Sequence, residues 1–280
     1  MTVLQPRSAA EALRLYARTP DAVPLAGGTD FMVGWNMGLG NGRSILDLTR
    51  LSSWTRIRAT SKTITIGALA THTAIQKHAA VRRHLPLLAE ACATVGGLQI
   101  QNRGTLGGNI ANASPAGDTF PPLAVYDAVV EIAGAGGKRR RVPFLEVFAG
   151  VKKTVLRPGE LIEAIHIPVP RRPSRALWRK VGTRAAQAIS KTMAAGLLWV
   201  ARDGTVEELR FALGSMAPTV RRLPSVEAHV RGRHITRELV REAVALLPKD
   251  VSPIDDVRST AFYRLAVSQN LLAGFLTRET

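Results

Sequence analysis

From Ser8 to Arg18 apolar residues recur at helical spacing, with Leu13 and Tyr16 among them. Ser8-Ala9-Ala10-Glu11 has the form of a capping box, so the pattern predicts an amphipathic helix with a defined start. Val23-Pro24-Leu25 is a short apolar run ending at Gly27-Gly28, which predicts a strand entering a tight turn. Phe31 to Met37 predicts a short helix, and Ser44 to Leu48 a buried strand. This order, strand, loop, helix, strand, predicts a small parallel α/β unit.

After Trp54 the pattern changes. Thr63-Ile64-Thr65-Ile66 alternates with period two, as a half-buried strand does. His84 to Thr94 predicts a helix, and Ala128 to Ala133 and Leu161 to Ile167 predict strands. Gly96 to Pro122 is dominated by Gly, Ala, Asn, Ser, Thr and Pro. This stretch reads as α+β with antiparallel pairing. Pro168 to Pro173 reads as a linker. Beyond it, Met193 to Val200 and Leu209 to Leu213 predict strands. Thr236 to Leu247 and Ser259 to Leu276 predict helices, the last carrying Phe262, Leu265, Leu271 and Phe275. The longest apolar run, Thr192 to Ala201, is about half of the ~20 residues a membrane span needs. The N-terminus lacks the apolar stretch of a signal peptide. The expectation is a soluble, cytoplasmic protein without a membrane span.

With 280 residues, the chain has room for two domains or one large one. Its single cysteine, Cys92, excludes an internal disulfide and any four-cysteine zinc or iron–sulfur site. Cys92 shares a helix face with Leu88 and reads as a buried apolar residue. The six histidines show no ligand spacing, so no protein-bound metal is expected. The net charge of +17 is unusual, and residues 138–184 hold 13 basic against 3 acidic side chains. Arg139-Arg140-Arg141 sits in a hairpin-like setting between Gly136-Gly137 and Pro143, and Arg171-Arg172 lies in the linker. Such charge suits a solvated face, an acidic partner subunit, an anionic cofactor, or nucleic acid. An aromatic content of 5% argues against single-strand binding, and no nucleic-acid partner is expected.

Two glycine-rich loops carry the chemistry. The first is Pro24-Leu25-Ala26-Gly27-Gly28-Thr29-Asp30. Paired glycines before a helix allow close backbone approach, and the helix start offers N–H groups suited to a phosphate. A tight turn with Asp30 as N-cap explains the same residues. The second runs from Asn102 to Asp118, with four glycines, three asparagines, a Thr, a Ser and an Asp. Its N–H groups and short polar side chains could line a polyphosphate and sugar hydroxyls. It is neither a G-x-G-x-x-G fingerprint nor a Walker loop. No catalytic Ser/His/Asp or Cys/His set appears, and the carboxylates form no obvious acid/base pair.

These loops, in this order, resemble the FAD-binding (medium) subunit of the xanthine dehydrogenase family of molybdenum hydroxylases. So do Trp178-Arg179-Lys180-Val181-Gly182-Thr183-Arg184, Gln187 to Ser190, Ala212 to Thr219, and Ser252 to Arg258. The resemblance implies an α+β chain: an FAD-binding fold of two α/β subdomains, then a small antiparallel sheet with helices. Residues 1–170 would form the FAD-binding domain, with subdomains of about 1–52 and 53–170, and 174–280 the C-terminal domain. It implies FAD contacts from Pro24, Leu25, Ala26, Gly27, Gly28, Thr29, Asp30 and Phe31, the loop around the pyrophosphate. Val95 and Gly96 would flank the cofactor. Thr105, Leu106, Gly107, Gly108, Asn109, Asn112 and Asp118 would touch it from the second loop. Leu161 or Ile162, with Lys180 and Ile189, match positions near the flavin ring.

The resemblance also implies partners: a small subunit with [2Fe–2S] clusters and a molybdopterin large subunit, in a dimer of heterotrimers. Electrons would pass from the clusters through FAD to NAD or another acceptor. With one Cys, the chain cannot hold the extra cluster of the 4-hydroxybenzoyl-CoA reductase flavin subunit. Ala188-Ile189 stands where some carbon-monoxide-type members place a tyrosine, which leans toward the xanthine-dehydrogenase-like branch. The competing readings are a self-contained FAD-dependent reductase of similar fold and a basic nucleic-acid-binding module.

Overall fold

The computed structural model describes residues 2–38 and 42–277, so the outermost ends of the two expected domains, 1 and 280, lie outside the described residues. The first unit is a three-stranded parallel sheet in which β3 (Ile45–Asp47) lies between β1 (Val3–Leu4) and β2 (Val23–Leu25). Strand β1 was not legible in the sequence. Helix α1 (Ala9–Arg18) starts as expected: the Ser8 hydroxyl accepts from Glu11 N, while the Glu11 carboxylate accepts from Arg7 N. Helix α2 (Phe31–Asn36) follows the first glycine loop.

The second unit is a five-stranded antiparallel sheet ordered β4-β5-β10-β6-β7. Its strands are β4 (Ile57–Ala59), β5 (Thr63–Gly67), β6 (Val129–Ala133), β7 (Arg139–Pro143) and β10 (Leu161–Pro168). A small hairpin, β8 (Phe148–Gly150) and β9 (Lys153–Thr154), lies outside it. The alternation seen in the sequence is real. Ile64, Ile66, Val130, Ile132, Ile165 and Ile167 turn inward onto Leu85, Leu88, Cys92, Leu106 and Ile110. Each such buried side chain contributes roughly 1.5–3 kcal/mol. The basic run of β7 is paired within the fold: Arg139 with Glu163, Arg140 with Glu160, Arg141 with Glu131.

Six helices connect β5 to β6: α3 (His72–Lys77), α4 (Ala79–His84), α5 (Pro86–Ala93), α6 (Leu98–Arg103), α7 (Leu106–Asn112) and α8 (Phe120–Val125). The helix expected over His84 to Thr94 therefore begins at Pro86, and His84 closes the helix before it. The cause is Pro86, which pushes Leu85 out of the helical region (φ −130, ψ 51) and itself suits the first helical position. The stretch from Gly96 to Pro122, which looked loop-like, holds α6, α7 and the first half of α8. All three are short, and α7 and α8 are rich in Gly or Pro, so tertiary packing rather than propensity holds them.

The third unit is a four-stranded antiparallel sheet: β11 (Arg175–Val181), β12 (Thr192–Val200), β13 (Val206–Gly214) and β14 (Arg221–Arg222). Strand β12 is buried on both faces, which is why it reads as an unbroken apolar run. Ala195, Leu197 and Trp199 join the core of the second sheet. Ala194 and Leu198 pack with α9 (Pro224–Val230), α10 (Arg237–Leu246) and α11 (Ala261–Thr277). Gly196 lets α11 in close, since a Cβ there would meet the Phe275 ring at 2.8 Å. The expected linker is docked, with Trp199 Nε1 donating to Arg171 O at 3.2 Å. No helix among the described residues is long and apolar enough to cross a membrane.

Candidate functional site

Three adjoining cavities lie around the glycine loops. The central one, about 350 Å³, is walled by Pro24, Ala26, Gly27, Gly28, Thr29, Asp30 and Phe31 on one side. Thr105, Gly108, Asn109, Ala111 and Asn112 stand opposite, with His72, Val95, Ile100 and Gly104 completing it. The two loops are clamped together at Gly27, where a Cβ would lie 1.9 Å from Arg103 O. At Gly104, a Cβ would fall 3.4 Å from the Thr29 hydroxyl. Only glycine permits this approach at Gly27, so the pair Gly27 and Gly104 serves loop-to-loop packing.

The backbone of the first loop is unusual in what it leaves unbonded. Among the described residues, no acceptor meets the amides of Gly27, Gly28, Thr29 or Asp30. Gly28 sits at φ +77, which turns the chain so that consecutive amides can converge. Unbonded amides are uncommon in a folded chain and form an anion-binding concavity when they converge. Asp30 occupies the N-cap position of α2 but makes no capping bond there. Its carboxylate accepts from Asn112 Nδ2 at 3.0 Å, and Lys152 lies 3.8 Å away. The expected cap is thus a cross-loop tie. Helix α2 has six residues, so the loop amides rather than a long helix dipole make the concavity.

The second loop is a helix start whose donors are already engaged. Leu106 N donates to Ala70 O, Gly107 N to Ala68 O, and Gly108 N to the Thr105 hydroxyl. Leu106 is wholly buried in the core and lines none of the three cavities. A Cβ at Gly107 would strike Ala68 at 2.6 Å, and one at Gly108 would meet Thr105 Oγ1 at 2.8 Å. The reading that this loop supplies a row of free N–H groups is therefore corrected: packing and capping account for Leu106, Gly107 and the amide of Gly108. What the loop does present is side chains. Asn109 Oδ1 accepts from the Thr119 hydroxyl at 2.7 Å.

The largest of the three, about 850 Å³, lies between connecting segments of the second and third units. Gly96, Gly97, Ile100, Ser114, Pro115, Ala116 and Asp118 face Gln187, Ala188, Ile189 and Ser190, and Ser252, Pro253 and Ile254 close it. Gln187 N donates to Gly96 O, which folds the segment after β11 over Gly96-Gly97. Asp118 is buried and paired with Lys180, whose Nζ donates to Asp118 Oδ2 at 2.6 Å and to Thr94 O at 2.8 Å. Burial pushes the Asp118 carboxyl up to about 6, while Lys180 pulls it back toward the ionised form. Asp118 Oδ1 is buried and has no partner among the described residues. It is an acceptor waiting for a donor.

The third cavity, about 400 Å³, shares Pro24, Ala26, Gly108 and Ala111 with the central one. Tyr16, Trp54, Leu69, Leu156, Leu161 and Ile162 line it. Of the expected site residues, the structure brings Pro24, Ala26 to Phe31, Val95, Thr105, Gly108, Asn109 and Asn112 to one cavity. It sets Gly96, Asp118 and Ile189 in the largest, and Leu161, Ile162 and Gly107 in the third. Leu161 and Ile162 are thus apart from Ile189. Leu25 and Leu106 line none of the three cavities. His72, Trp54 and Tyr16 were missed, since an isolated His and two scattered aromatics form no sequence motif.

A polar, amide-lined middle between two apolar-walled ends fits a molecule with rings at both ends and a charged centre, as FAD has. The orphan Asp118 Oδ1 and the bare amides of Gly27 to Asp30 are the observations that fit it. Residues 1–170 match a family described as the FAD binding domain in molybdopterin dehydrogenase, and residues 178–278 the CO dehydrogenase flavoprotein C-terminal domain. A putative xanthine dehydrogenase FAD-binding subunit of Escherichia coli is 31% identical, covering 94% of this chain and 90% of that one. A carbon monoxide dehydrogenase medium chain of Afipia carboxidovorans is 30% identical, covering 98% and 94%. The structure of a reconstituted CO dehydrogenase from Oligotropha carboxidovorans superposes with a TM-score of 0.93 at 27% identity, covering 99% and 96%. Identities to the xanthine and carbon monoxide branches are nearly equal and do not separate them.

Proposed function

Because the chain belongs to the FAD-binding medium-subunit family of the molybdopterin dehydrogenases, we propose that it carries electrons between partner subunits and a soluble acceptor. It is an FAD-binding oxidoreductase subunit of the xanthine and CO dehydrogenase type. The finer reading is that it accepts electrons from [2Fe–2S] clusters of a small partner subunit. It passes them to NAD or another carrier, while a molybdopterin large subunit handles the organic substrate. A cytoplasmic dimer of heterotrimers is the assembly we infer. We divide the chain into 1–170, with subdomains of about 1–52 and 53–170, and 174–280.

FAD, when bound, supplies the redox chemistry, since it can take electrons singly and release them singly or in pairs. The protein supplies position and electrostatics. The amides of Gly27, Gly28, Thr29 and Asp30 would hold the diphosphate, with Thr29 adding a hydroxyl donor. The bareness of these four amides is the observation that carries the reading. Asn109 and Asn112 would take sugar or ribityl hydroxyls. Asp118 Oδ1 would accept a hydroxyl proton, its charge steadied by Lys180. Gly96, Gly97 and the Gln187 to Ser190 segment would flank one ring, with Leu161 and Ile162 beside the other. Among the described residues the charged groups on the largest cavity are Asp118, tied to Lys180, and Asp256, tied to Arg258 and Arg264.

Purification with native partners tests this. The expected preparation contains iron, molybdenum and one FAD for each copy of this chain. The isolated chain should be yellow, be bleached by a suitable electron donor and turn over no organic substrate. A lone chain that turns over such a substrate would instead support the self-contained reductase.

A further inference from the structure

We propose that His72 binds the diphosphate of the cofactor, donating a hydrogen bond from its imidazole within the central cavity. This rests on the placement of the diphosphate against the first loop. His72 is the first residue of α3 and is pinned there. Its amide donates to Gly104 O at 3.1 Å, and the Thr71 hydroxyl caps the helix by accepting from Ala74 N. The residue is on the cavity wall with Gly27 to Asp30, Thr105 and Asn109. It is 1% exposed, yet neither ring nitrogen bonds to another described residue, and Nδ1 is sealed from solvent. Nδ1, being sealed, does not face the cavity, so Nε2 is the nitrogen that would donate; a native fold normally gives a buried polar group a partner, and the described residues supply none to this ring.

The surroundings sharpen the choice of ligand. The only other titratable side chain on this wall is Asp30, already tied to Asn112. The elements packed against α3 bring Glu90 and Cys92 on α5, Arg82, Arg83 and His84 on α4, and Arg103 on α6. None of these lines the cavity. A diphosphate bound there would meet amides, the Thr29 hydroxyl and His72, with no fixed cation on the wall. In the free protein burial pushes the imidazole down to about 4, so at neutral pH it is a neutral ring with one N–H to give. An adjacent diphosphate favours the imidazolium. Binding should therefore take up a proton from solution as the pH falls, and affinity should rise.

The test is FAD titration of the apo full-length chain, followed by flavin fluorescence, between about pH 5.5 and pH 7.5. Wild type should bind several-fold more tightly at the acid end. His72→Leu should lose roughly ten-fold in affinity at neutral pH and lose the acid gain. His72→Gln, which keeps a donor but cannot titrate, should bind at neutral pH nearly as wild type and show a flat profile. Asp118 in the neighbouring cavity titrates in the same range, so Asp118→Asn should retain the acid gain. If His72→Gln keeps the wild-type pH profile, the proposal is overturned and His72 is a core histidine. Thr29→Val separates the two readings. Weakened FAD binding there with unaffected His72 variants removes His72 alone, whereas no effect in any of them removes the diphosphate placement itself.

Discussion

Between Pro24 and Phe31 the chain leaves four consecutive amides bare; at the start of α7 it bonds three in a row to its own backbone and to the Thr105 hydroxyl. Both stretches are rich in glycine and short polar residues, yet they do different work. In the first, Gly28 turns the backbone toward a cavity and the donors stay open for a ligand. In the second, Gly107 clears Ala68 and Gly108 clears the capping hydroxyl, so the helix can lie flat against the sheet. Glycine content alone therefore does not identify an anion site. What matters is which N–H groups the rest of the fold leaves without acceptors.

The contrast can be broken most severely at Asp118. Asp118→Ala strips the buried Lys180 ammonium of its carboxylate and should cost about 3–5 kcal/mol in chemical denaturation, along with most flavin content. Gly27→Ala should come next. Its methyl would overlap Arg103 O, forcing the loops apart at about 1–3 kcal/mol or more, read as a lower Tm and a lost flavin band. Thr29→Val keeps volume and removes one donor. It should weaken FAD by about 1 kcal/mol in a binding titration and leave the apo Tm unchanged.

The smallest effect is on pH. Asp118, whose pKa is raised from 3.8 to about 6, stabilises the fold fully below about pH 4 and loses that contribution as the pH rises through 6. His72, lowered from 6.5 to about 4, contributes above pH 6.5 and loses it as the pH falls through 4. Between pH 4 and 6 the two oppose. Apo Asp118→Asn should therefore gain stability with rising pH more steeply than wild type across that window, as urea midpoints will report. Equal slopes would mean that Asp118 is not buried as described.

Much of the fold was legible in the chain. The alternation at Thr63 to Ile66 and the apolar run of β12 followed from simple periodicity, and the Ser8 cap from local chemistry. What escaped detection depended on distant partners. β1 is two residues long and exists because β3 offers an edge. Helix α7 is held by its Thr105 cap and by bonds to Ala68 and Ala70, and α6 by the ties of Gln101 to Ala93 O and Gln76, not by propensity. The basic stretch suited a solvated face, an acidic partner, an anionic cofactor or nucleic acid, but three of its arginines are paired to Glu131, Glu160 and Glu163, and Glu131 is not in the stretch at all. At the site, the motif residues pointed to the right region. The bonding state of its amides, and the orphan atoms on His72 and Asp118, become visible only when the chain folds.

Amide hydrogen exchange, read residue by residue with and without FAD, tests the central contrast most directly. FAD should strongly protect Gly27, Gly28, Thr29 and Asp30, which exchange freely without it. Leu106, Gly107 and Gly108 should be protected in both states. Protection gained at Leu106 to Gly108 with none at Gly27 to Asp30 would contradict the account.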